Sequence, residues 1–199
     1  MNFNVFDVFE KRHSFYEIND NIELDNKDIE KIISNALDLY PSSFNAQESR
    51  IVLLMGEHHK YFWDIVKQEL FKATDDSKQE TIEKRISSFK NGYGTVLYFI
   101  DENIVKELAE QYPLYAQNFP IWAEHSSAML QYMIWTALAN NNIGANLQHY
   151  NPLIDNVIRD KFKIDKHWKL IAQMPFGSIL HTPKMHEIKN IQERLVVRP

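Results

Sequence analysis

The sequence predicts an α+β protein in which helices cover one sheet. Helical patterns of apolar residues outnumber strand patterns, and helical segments separate the strands from one another. The longest helical pattern, over residues 121–140, has apolar and small residues on more than one side. A helix of that kind is usually buried deeply, and in a chain of 199 residues a subunit interface is a natural place for it.

The elements of the N-terminal half follow from the spacing of apolar residues. Phenylalanines three apart at positions 3, 6 and 9 predict a short helix, and residues 27–40 predict a second one. Asp25 is suited to cap that second helix, and Pro41 follows its end. Further elements are two helices at 59–71 and 79–89 and two buried strands at 51–55 and 95–100.

In the C-terminal half, the long helix precedes a predicted strand at 143–148. Pro152 opens a further helix, and the apolar run at 170–174 predicts a strand that ends at Pro-Phe-Gly. Residues 195–197, Leu-Val-Val, are suited to a strand that requires a partner. No linker or repeat divides the chain, so we expect a single domain over residues 1–199, built in three layers.

Charge and cysteine content exclude several classes of function. Lys and Arg number 22 against 27 Asp and Glu, so the basic surface expected for nucleic acid or an anionic membrane is absent. The chain has no cysteine, which excludes disulfides, thiolate zinc sites, iron–sulfur clusters and cysteine nucleophiles. Neither a signal-peptide core nor an apolar run of membrane-spanning length is present. We therefore expect a cytoplasmic protein that binds neither nucleic acid nor membrane.

Common catalytic and nucleotide-binding motifs are also missing from the sequence. The five glycines form no dinucleotide fingerprint, and no phosphate-binding loop, serine elbow or zinc helix occurs. His58 and His59 are adjacent and do not face one ligand on a helix, while His181 and His186 flank a Pro-Lys turn. These four histidines leave a metal-responsive binding protein as a less favoured alternative.

The first of three unusual polar segments is residues 11–18. Arg12, His13 and Ser14 follow the short first helix, where a planar guanidinium, a ring donor and a hydroxyl suit phosphate oxygens. Basic residues also commonly cap a helix C-terminus, and the spacing alone favours that structural role.

The second segment, 41–50, concentrates Ser42, Ser43, Asn45 and Gln47 before a strand. Side-chain amides present both donors and acceptors, which suits the edge of a heterocycle. Because Ser and Asn are ordinary loop residues, a plain polar loop is the alternative.

The third segment, 144–153, has Gln148, His149, Tyr150 and Asn151 between a strand and a helix. Strand ends close to helix starts direct backbone N–H groups toward ligands. A loop in which Asn151 caps the following helix is the alternative.

Together these segments resemble the flavin-dependent nitroreductase family. KRHS at 11–14 resembles the family's N-terminal Arg-(Arg/His)-Ser motif, which binds the phosphate of FMN. PSSFNAQ at 41–47 resembles its Ser-x-Asn-x-Gln loop, which meets the ribityl chain and the flavin edge. The run NLQHYNPLID, then PFG and a C-terminal ERLVV, is similar to a compact subgroup of fungal-type and bacterial stress-induced nitroreductases. The resemblance covers residues 3–197.

The resemblance assigns the cofactor contacts to particular positions. Arg12, Ser14 and Arg194 match phosphate positions, and His149 matches a backbone position near the reactive side of the flavin. The full set of implied FMN-binding residues is Arg12, His13, Ser14, Ser43, Asn45, Gln47, Gln148, His149, Lys189 and Arg194. No catalytic side chain is implied, because the flavin carries the redox chemistry. Tyr16 and His186 stand where relatives often have lysine.

The resemblance also implies the fold and the reaction. The fold would be a nitroreductase-like mixed, mostly antiparallel sheet covered by helices, in a strand-exchanged homodimer with two FMN sites at the interface. FMN would take a hydride from NADH or NADPH and pass two electrons, by a ping-pong mechanism, to nitroaromatics, quinones or similar electrophiles. The alternatives are a non-catalytic flavin-binding or flavin-sequestering protein on the same scaffold, the histidine-based metal-responsive protein, and a structural domain without a cofactor.

Overall fold

The computed structural model describes residues 4–183 and 187–198. Its helices are α1 (Val5–Lys11), α2 (Asn26–Leu39), α3 (Gly56–Ala73), α4 (Gln79–Lys90), α5 (Glu102–Gln111), α6 (Phe119–Asn140) and α7 (Asp155–Phe162). Its strands are β1 (Ile18–Asn19), β2 (Ser49–Met55), β3 (Gly94–Asp101), β4 (Ile143–Ala145) and β5 (Trp168–Ile179). Short 3-10 turns lie at Ser43–Asn45, Asp76–Lys78, Pro113–Tyr115 and Ile191–Glu193.

The strands form one sheet in the order β1-β5-β3-β2, and β4 pairs with β5 beside this path. The pairs β1–β5, β2–β3, β3–β5 and β4–β5 are all antiparallel. A parallel bridge joins Ser14 to Ala145. The predicted mixed, mostly antiparallel sheet is therefore confirmed.

Two apolar cores lie on opposite faces of this sheet, because successive side chains of a strand point to opposite sides. Val96 and Tyr98 of β3 join one core, to which α2 and α6 contribute. Leu97 and Phe99 of the same strand join the other core, to which α3, α4 and α7 contribute. This is the three-layer arrangement that the sequence predicts.

The caps of α2 and α5 explain where these helices begin. The Asp25 carboxylate accepts from Lys27 N at 2.8 Å and from Asp28 N at 2.9 Å, so the predicted cap of α2 is confirmed. In the same way, Asp101 accepts from Asn103 N at 3.2 Å and starts α5 directly after β3. The sequence pattern predicts neither α5 nor the two-residue strand β1.

The ends of β4 and β5 differ from the prediction, and Pro175 explains both differences. β5 continues through Pro-Phe-Gly to Ile179, whereas β4 ends at Ala145. Asn146 N donates to Pro175 O at 3.3 Å, but proline has no N–H to return a bond, so the β4–β5 ladder stops there. The missing donor faces β4, which leaves the pairing of β5 with β3 intact.

α6 has buried residues around much of its circumference, as its sequence pattern predicts. Its outer side still exposes Ile121, Met129 and Tyr132 by 53%, 41% and 41%. α1 packs beside them through a ring contact between Phe9 and Tyr132, and Phe6 remains 65% exposed. An apolar surface thus extends over α1 and α6. A helix capable of spanning a membrane is absent from the described residues.

Candidate functional site

The first and third polar segments come together beside β4. Ser14 bridges Ala145, and Phe15 N donates to Ala145 O at 3.0 Å. The buried Asn146 side chain donates to Phe15 O at 2.7 Å and accepts from Gln148 Nε2, also at 2.7 Å. A continuous chain of hydrogen bonds therefore links Phe15, the residue that follows Ser14, to Gln148. Asn146 lies within the NLQH motif but is not among the site residues predicted from the sequence.

Gln173 of β5 holds the third segment in position. Its backbone exchanges two hydrogen bonds with Gln148, at 2.7 and 2.9 Å. Its buried side chain accepts from Tyr150 N at 2.8 Å and donates to Asn151 Oδ1 at 3.4 Å. The backbone around His149 is thus attached to the central sheet while the His149 side chain stays exposed. Gln173 was also missed, and its signal is an amide inside the apolar run of β5.

Arg12 presents a cation without a carboxylate partner. Its guanidinium lies over the Trp135 ring of α6, 4.6 Å from the centroid. Within the described part of the chain, no carboxylate forms an ion pair with it. The α1 C-cap contact is made by the backbone, since Arg12 N donates to Phe9 O. The guanidinium is therefore directed at α6, while Arg12 also serves as the C-cap residue of α1, as the capping alternative expects. The neighbouring His13 is half-buried, with its ring 6.1 Å from that of Phe15.

The second segment forms a tight loop in an unusual backbone conformation. Phe44, Asn45 and Gln47 have φ values of 58°, 53° and 52°, in the left-handed region that non-glycine residues seldom adopt. Ser42 Oγ accepts from Gln47 N at 3.0 Å and helps to hold the turn. The Asn45 and Gln47 side chains are exposed, and Ser43 is half-buried. Strained loops of this kind often belong to functional sites.

Within one chain, this loop lies far from Arg12. Phe44 stacks on Trp122 near the start of α6, with 6.0 Å between ring centroids, whereas Arg12 contacts Trp135 near the end of the helix. At a rise of about 1.5 Å per residue, these two tryptophans are about 20 Å apart along the axis. The structure thus joins the first and third segments and keeps the second apart from them.

The C-terminal cations lie in a tail that is exposed in the single chain. Lys189 and Arg194 are exposed, and the described backbone hydrogen bonds of residues 187–198 connect tail residues to one another. Leu195, Val196 and Val197 belong to no strand in the single chain. His186, a possible replacement for a family lysine, lies outside the described residues.

His59, one of the four histidines of the metal alternative, is fully engaged in the core. Its Nδ1 lies 2.8 Å from Thr95 Oγ1 and its Nε2 lies 3.1 Å from Lys90 O. His181 instead faces the Glu17 carboxylate, with 3.3 Å between His181 Nε2 and Glu17 Oε2. Across residues 4–183 and 187–198, no three His, Asp or Glu side chains form a group that could hold a metal ion.

Comparison with known proteins assigns the family. The model of the Nitroreductase family matches residues 9–178. The chain belongs to the nitroreductase family. The family is one of oxidoreductases, and the matched residues include Arg12–Ser14, the 43–47 loop and Gln148–His149.

Relatives of this nitroreductase-family chain are similar to it over most of their length. Nitroreductase FRM2 of Saccharomyces cerevisiae is 31% identical over 150 residues, which cover 75% of this chain and 74% of that protein. The structure of nitroreductase CinD from Lactococcus lactis in complex with nicotinic acid has a TM-score of 0.92 at 36% identity, covering 98% and 100% of the two chains. A complex of CinD with 4-nitrophenol matches with a TM-score of 0.90. A nitroreductase with bound FMN from Desulfitobacterium hafniense shares the fold, with a TM-score of 0.72 at 16% identity and complete coverage of both chains.

Proposed function

We propose that the chain is an FMN-dependent NAD(P)H oxidoreductase that passes two electrons to nitroaromatics, quinones or similar electrophiles. The observation that carries this proposal is the hydrogen-bonded link through Asn146 between Phe15, which directly follows Arg12–Ser14, and Gln148, in a member of the nitroreductase family. FMN supplies the hydride-accepting ring when it is bound, which is consistent with a site that has no nucleophilic or metal-binding constellation. We propose that FMN binds to the single domain that the sequence predicts over residues 1–199.

The residues at the joined site are chemically suited to FMN. Among the described residues the Arg12 guanidinium has no carboxylate partner, and Ser14 adds a hydroxyl, so both are available to phosphate oxygens. His13 lies between them. Gln148 and His149 lie on a backbone that Gln173 holds rigidly, which suits the fixed orientation of a planar ring. The role proposed for these side chains is therefore to bind and orient the flavin while its other face stays open to substrates.

A ping-pong sequence fits a bound flavin with one face open to substrates. NADH or NADPH occupies the open face first, leaves after hydride transfer, and the acceptor then takes the same place. The complexes of CinD with nicotinic acid and with 4-nitrophenol support a site that accepts a pyridine ring or a nitroaromatic. We propose the cytoplasm as the location, because the reaction consumes NADH or NADPH, and a role in stress response by analogy with the subgroup that the sequence resembles.

A homodimer is part of the same proposal. The 43–47 loop does not reach Arg12 within one chain, and Lys189 and Arg194 lie in an exposed tail, but a second copy can bring its own loop and tail to the site. The apolar surface over α1 and α6 supplies an interface. Leu195–Val197 are 57%, 77% and 75% exposed, and β2 is hydrogen-bonded to β3 on one side only among the described strands. Exchange of the tails would cover the apolar side chains of Leu195–Val197 and would give the free edge of β2 a partner strand.

Spectroscopy of the purified protein tests the proposed activity. We expect a yellow protein with about one FMN per chain, whose flavin absorbance is bleached by NADH or NADPH without oxygen and restored by a nitroaromatic or a quinone. Retained flavin that neither donor bleaches would favour the sequestering alternative. Colourless protein that fails to bind added FMN would refute the proposal. Stoichiometric, tight metal binding in calorimetry would favour the histidine-based alternative.

A further inference from the structure

Trp135 supplies the surface on which the Arg12 guanidinium rests. The guanidinium carbon lies 4.6 Å from the centroid of the indole ring, a distance at which an aromatic face attracts a cation. Both side chains are half-buried, so water screens this attraction less than it would on an open surface. The motifs that resemble the flavin-binding segments of the family do not include Trp135.

The helix that carries Trp135 is anchored in the core, whereas the segment that carries Arg12 is not. Ile134 and Leu138, the neighbours of Trp135 on α6, are fully buried in the core that α2 and α6 share. Trp135 packs against the same core. α1 has seven residues, none of them buried, and Arg12 directly follows it. The ring is therefore the fixed partner in this contact, and the guanidinium is the group whose position it limits.

Packing, rather than hydrogen bonding, orients the indole ring. Its Nε1 atom is buried and has no hydrogen-bond partner among the residues that the structure describes. Replacement of Trp135 by phenylalanine would therefore break no hydrogen bond of the described structure and would keep an aromatic face. The contact with Arg12 can thus be weakened separately from the polar contacts of α6.

A second contact of this type in the chain leaves its cation in a different state. Arg50 lies over the Trp168 ring at 5.8 Å, but its guanidinium also donates to Asp101 Oδ2 at 3.1 Å. Arg12 forms no ion pair with a carboxylate within residues 4–183 and 187–198. Because an aromatic face is not a hydrogen-bond acceptor of the carboxylate kind, it holds the guanidinium while the N–H donors stay available to an anion.

We propose that Trp135 is a positioning residue for the FMN phosphate, whose ring holds the Arg12 guanidinium in place for the phosphate oxygens. The inference rests on the proposed function, because it requires that Arg12 binds this phosphate. An arginine side chain that is held before the ligand arrives loses less conformational entropy on binding. Trp135 acts on the cofactor only through Arg12, so its effect should be confined to the phosphate.

Comparison of FMN with riboflavin isolates this effect, because riboflavin has the same ring and ribityl chain but no phosphate. Fluorescence titration of the flavin-free full chain gives Kd for both flavins and hence the preference for FMN. The variants are Trp135→Leu, Trp135→Phe, Arg12→Ala and the double variant Arg12→Ala/Trp135→Leu. Trp168→Leu is the matched control, because it removes the ring that contacts Arg50.

Trp135→Leu should weaken FMN binding about 3- to 30-fold, the range for a partly to fully desolvated contact between a cation and an aromatic ring, and should leave riboflavin binding unchanged. Trp135→Phe should have an intermediate preference for FMN, since the indole face attracts cations more strongly than the phenyl face. In the Arg12→Ala background, Trp135→Leu should cause no further loss of FMN affinity. Trp168→Leu should keep the preference of the parent.

Three results would overturn the inference. The first is an unchanged preference for FMN in Trp135→Leu. The second is an equal loss of affinity for FMN and riboflavin, which would indicate general damage to the flavin site. The third is a full additional loss of FMN affinity when Trp135→Leu is added to Arg12→Ala, because Trp135 would then act without Arg12. If Trp135→Leu does not fold, Trp135→Phe decides, and a preference equal to that of the parent would count against the inference.

Failure of the proposed function gives a different result. A parent that binds FMN no more tightly than riboflavin, or binds neither, would contradict the phosphate role of Arg12. NMR of the flavin-free chain then tests the contact itself, because the ring current of Trp135 should shift the Arg12 side-chain protons upfield. This shift should be present in the parent and in Trp168→Leu and absent from Trp135→Leu. Its absence from the parent would refute the contact on which the inference depends.

Discussion

Acidification is expected to destabilise this protein through His59, whose imidazole is only 1% exposed between α3 and the sheet. Because Nε2 faces the Lys90 carbonyl oxygen at 3.1 Å, that nitrogen carries the proton, and Nδ1 accepts from the Thr95 hydroxyl at 2.8 Å. The same hydroxyl accepts from Trp63 Nε1 at 2.9 Å. A proton added at Nδ1 would face the Thr95 O–H and break this arrangement.

The expected loss of stability follows from the shift in the pKa of His59. Burial lowers this pKa from 6.5 to about 4, against the opposing effect of the Lys90 carbonyl. The unfolded chain therefore binds the proton at higher pH than the folded chain does. The stability is present in full above pH 6.5 and is lost as the pH falls toward 4. Relative to pH 7.5, linkage gives a loss of about 1.3 kcal/mol at pH 5.5 and about 2.5 kcal/mol at pH 4.5.

Urea unfolding at pH 7.5, 5.5 and 4.5 measures this loss in the parent, His59→Gln and His58→Gln, at equal FMN saturation. His58 is the exposed neighbour on the same helix and provides the matched control. We expect His59→Gln to be less stable at pH 7.5 but to lose about 2.5 kcal/mol less than the parent on acidification. Burial raises the pKa values of Glu48 and Asp155, so these two carboxyl groups favour the folded state as the pH falls. Their contribution is the same in the parent and in both variants, and it therefore cancels when the pH profiles are compared. Parallel pH profiles for the parent and His59→Gln would refute the reasoning.

Four further outcomes are expected. Arg12→Ala should weaken FMN binding about 10- to 150-fold in flavin fluorescence titrations, because a hydrogen bond to a charged group contributes about 1.5–3 kcal/mol. Excess FMN should restore turnover. Unchanged affinity for FMN would contradict the phosphate role of Arg12. His149→Ala should alter the reduction potential of the flavin or the turnover more than it alters FMN affinity. Potentiometry measures the first effect and FMN titration measures the last. Removal of residues 188–199 should yield a monomer with weakened FMN binding in light scattering, and a persistent dimer would argue against tail exchange. Asp25→Ala should lower the free energy of unfolding by about 0.5–2 kcal/mol in urea, whereas Asp38→Ala, at the opposite end of α2, should cause no loss.

Where local pattern decides the structure, the sequence predicts it well. Helix α2 has both its apolar spacing and its Asp25 cap within one short stretch, and the observed helix differs from the prediction only at its ends. Strand β3 is likewise evident as a continuous apolar run. β4 and β5 show the limit, because the effect of Pro175 depends on which neighbouring strand its missing N–H faces, and local spacing does not contain that information.

The candidate site divides in the same way. The sequence by itself identified the motif residues Arg12, Ser14 and Gln148, since their types and order along the chain are enough for recognition. Only the tertiary structure revealed Asn146, which bonds to a residue 131 positions away, and the anchoring role of Gln173. It also revealed that the 43–47 loop lies about 20 Å along α6 from Arg12. The physical reason is that chain order records chemistry and local conformation, whereas distances between segments depend on how helices and strands pack against one another.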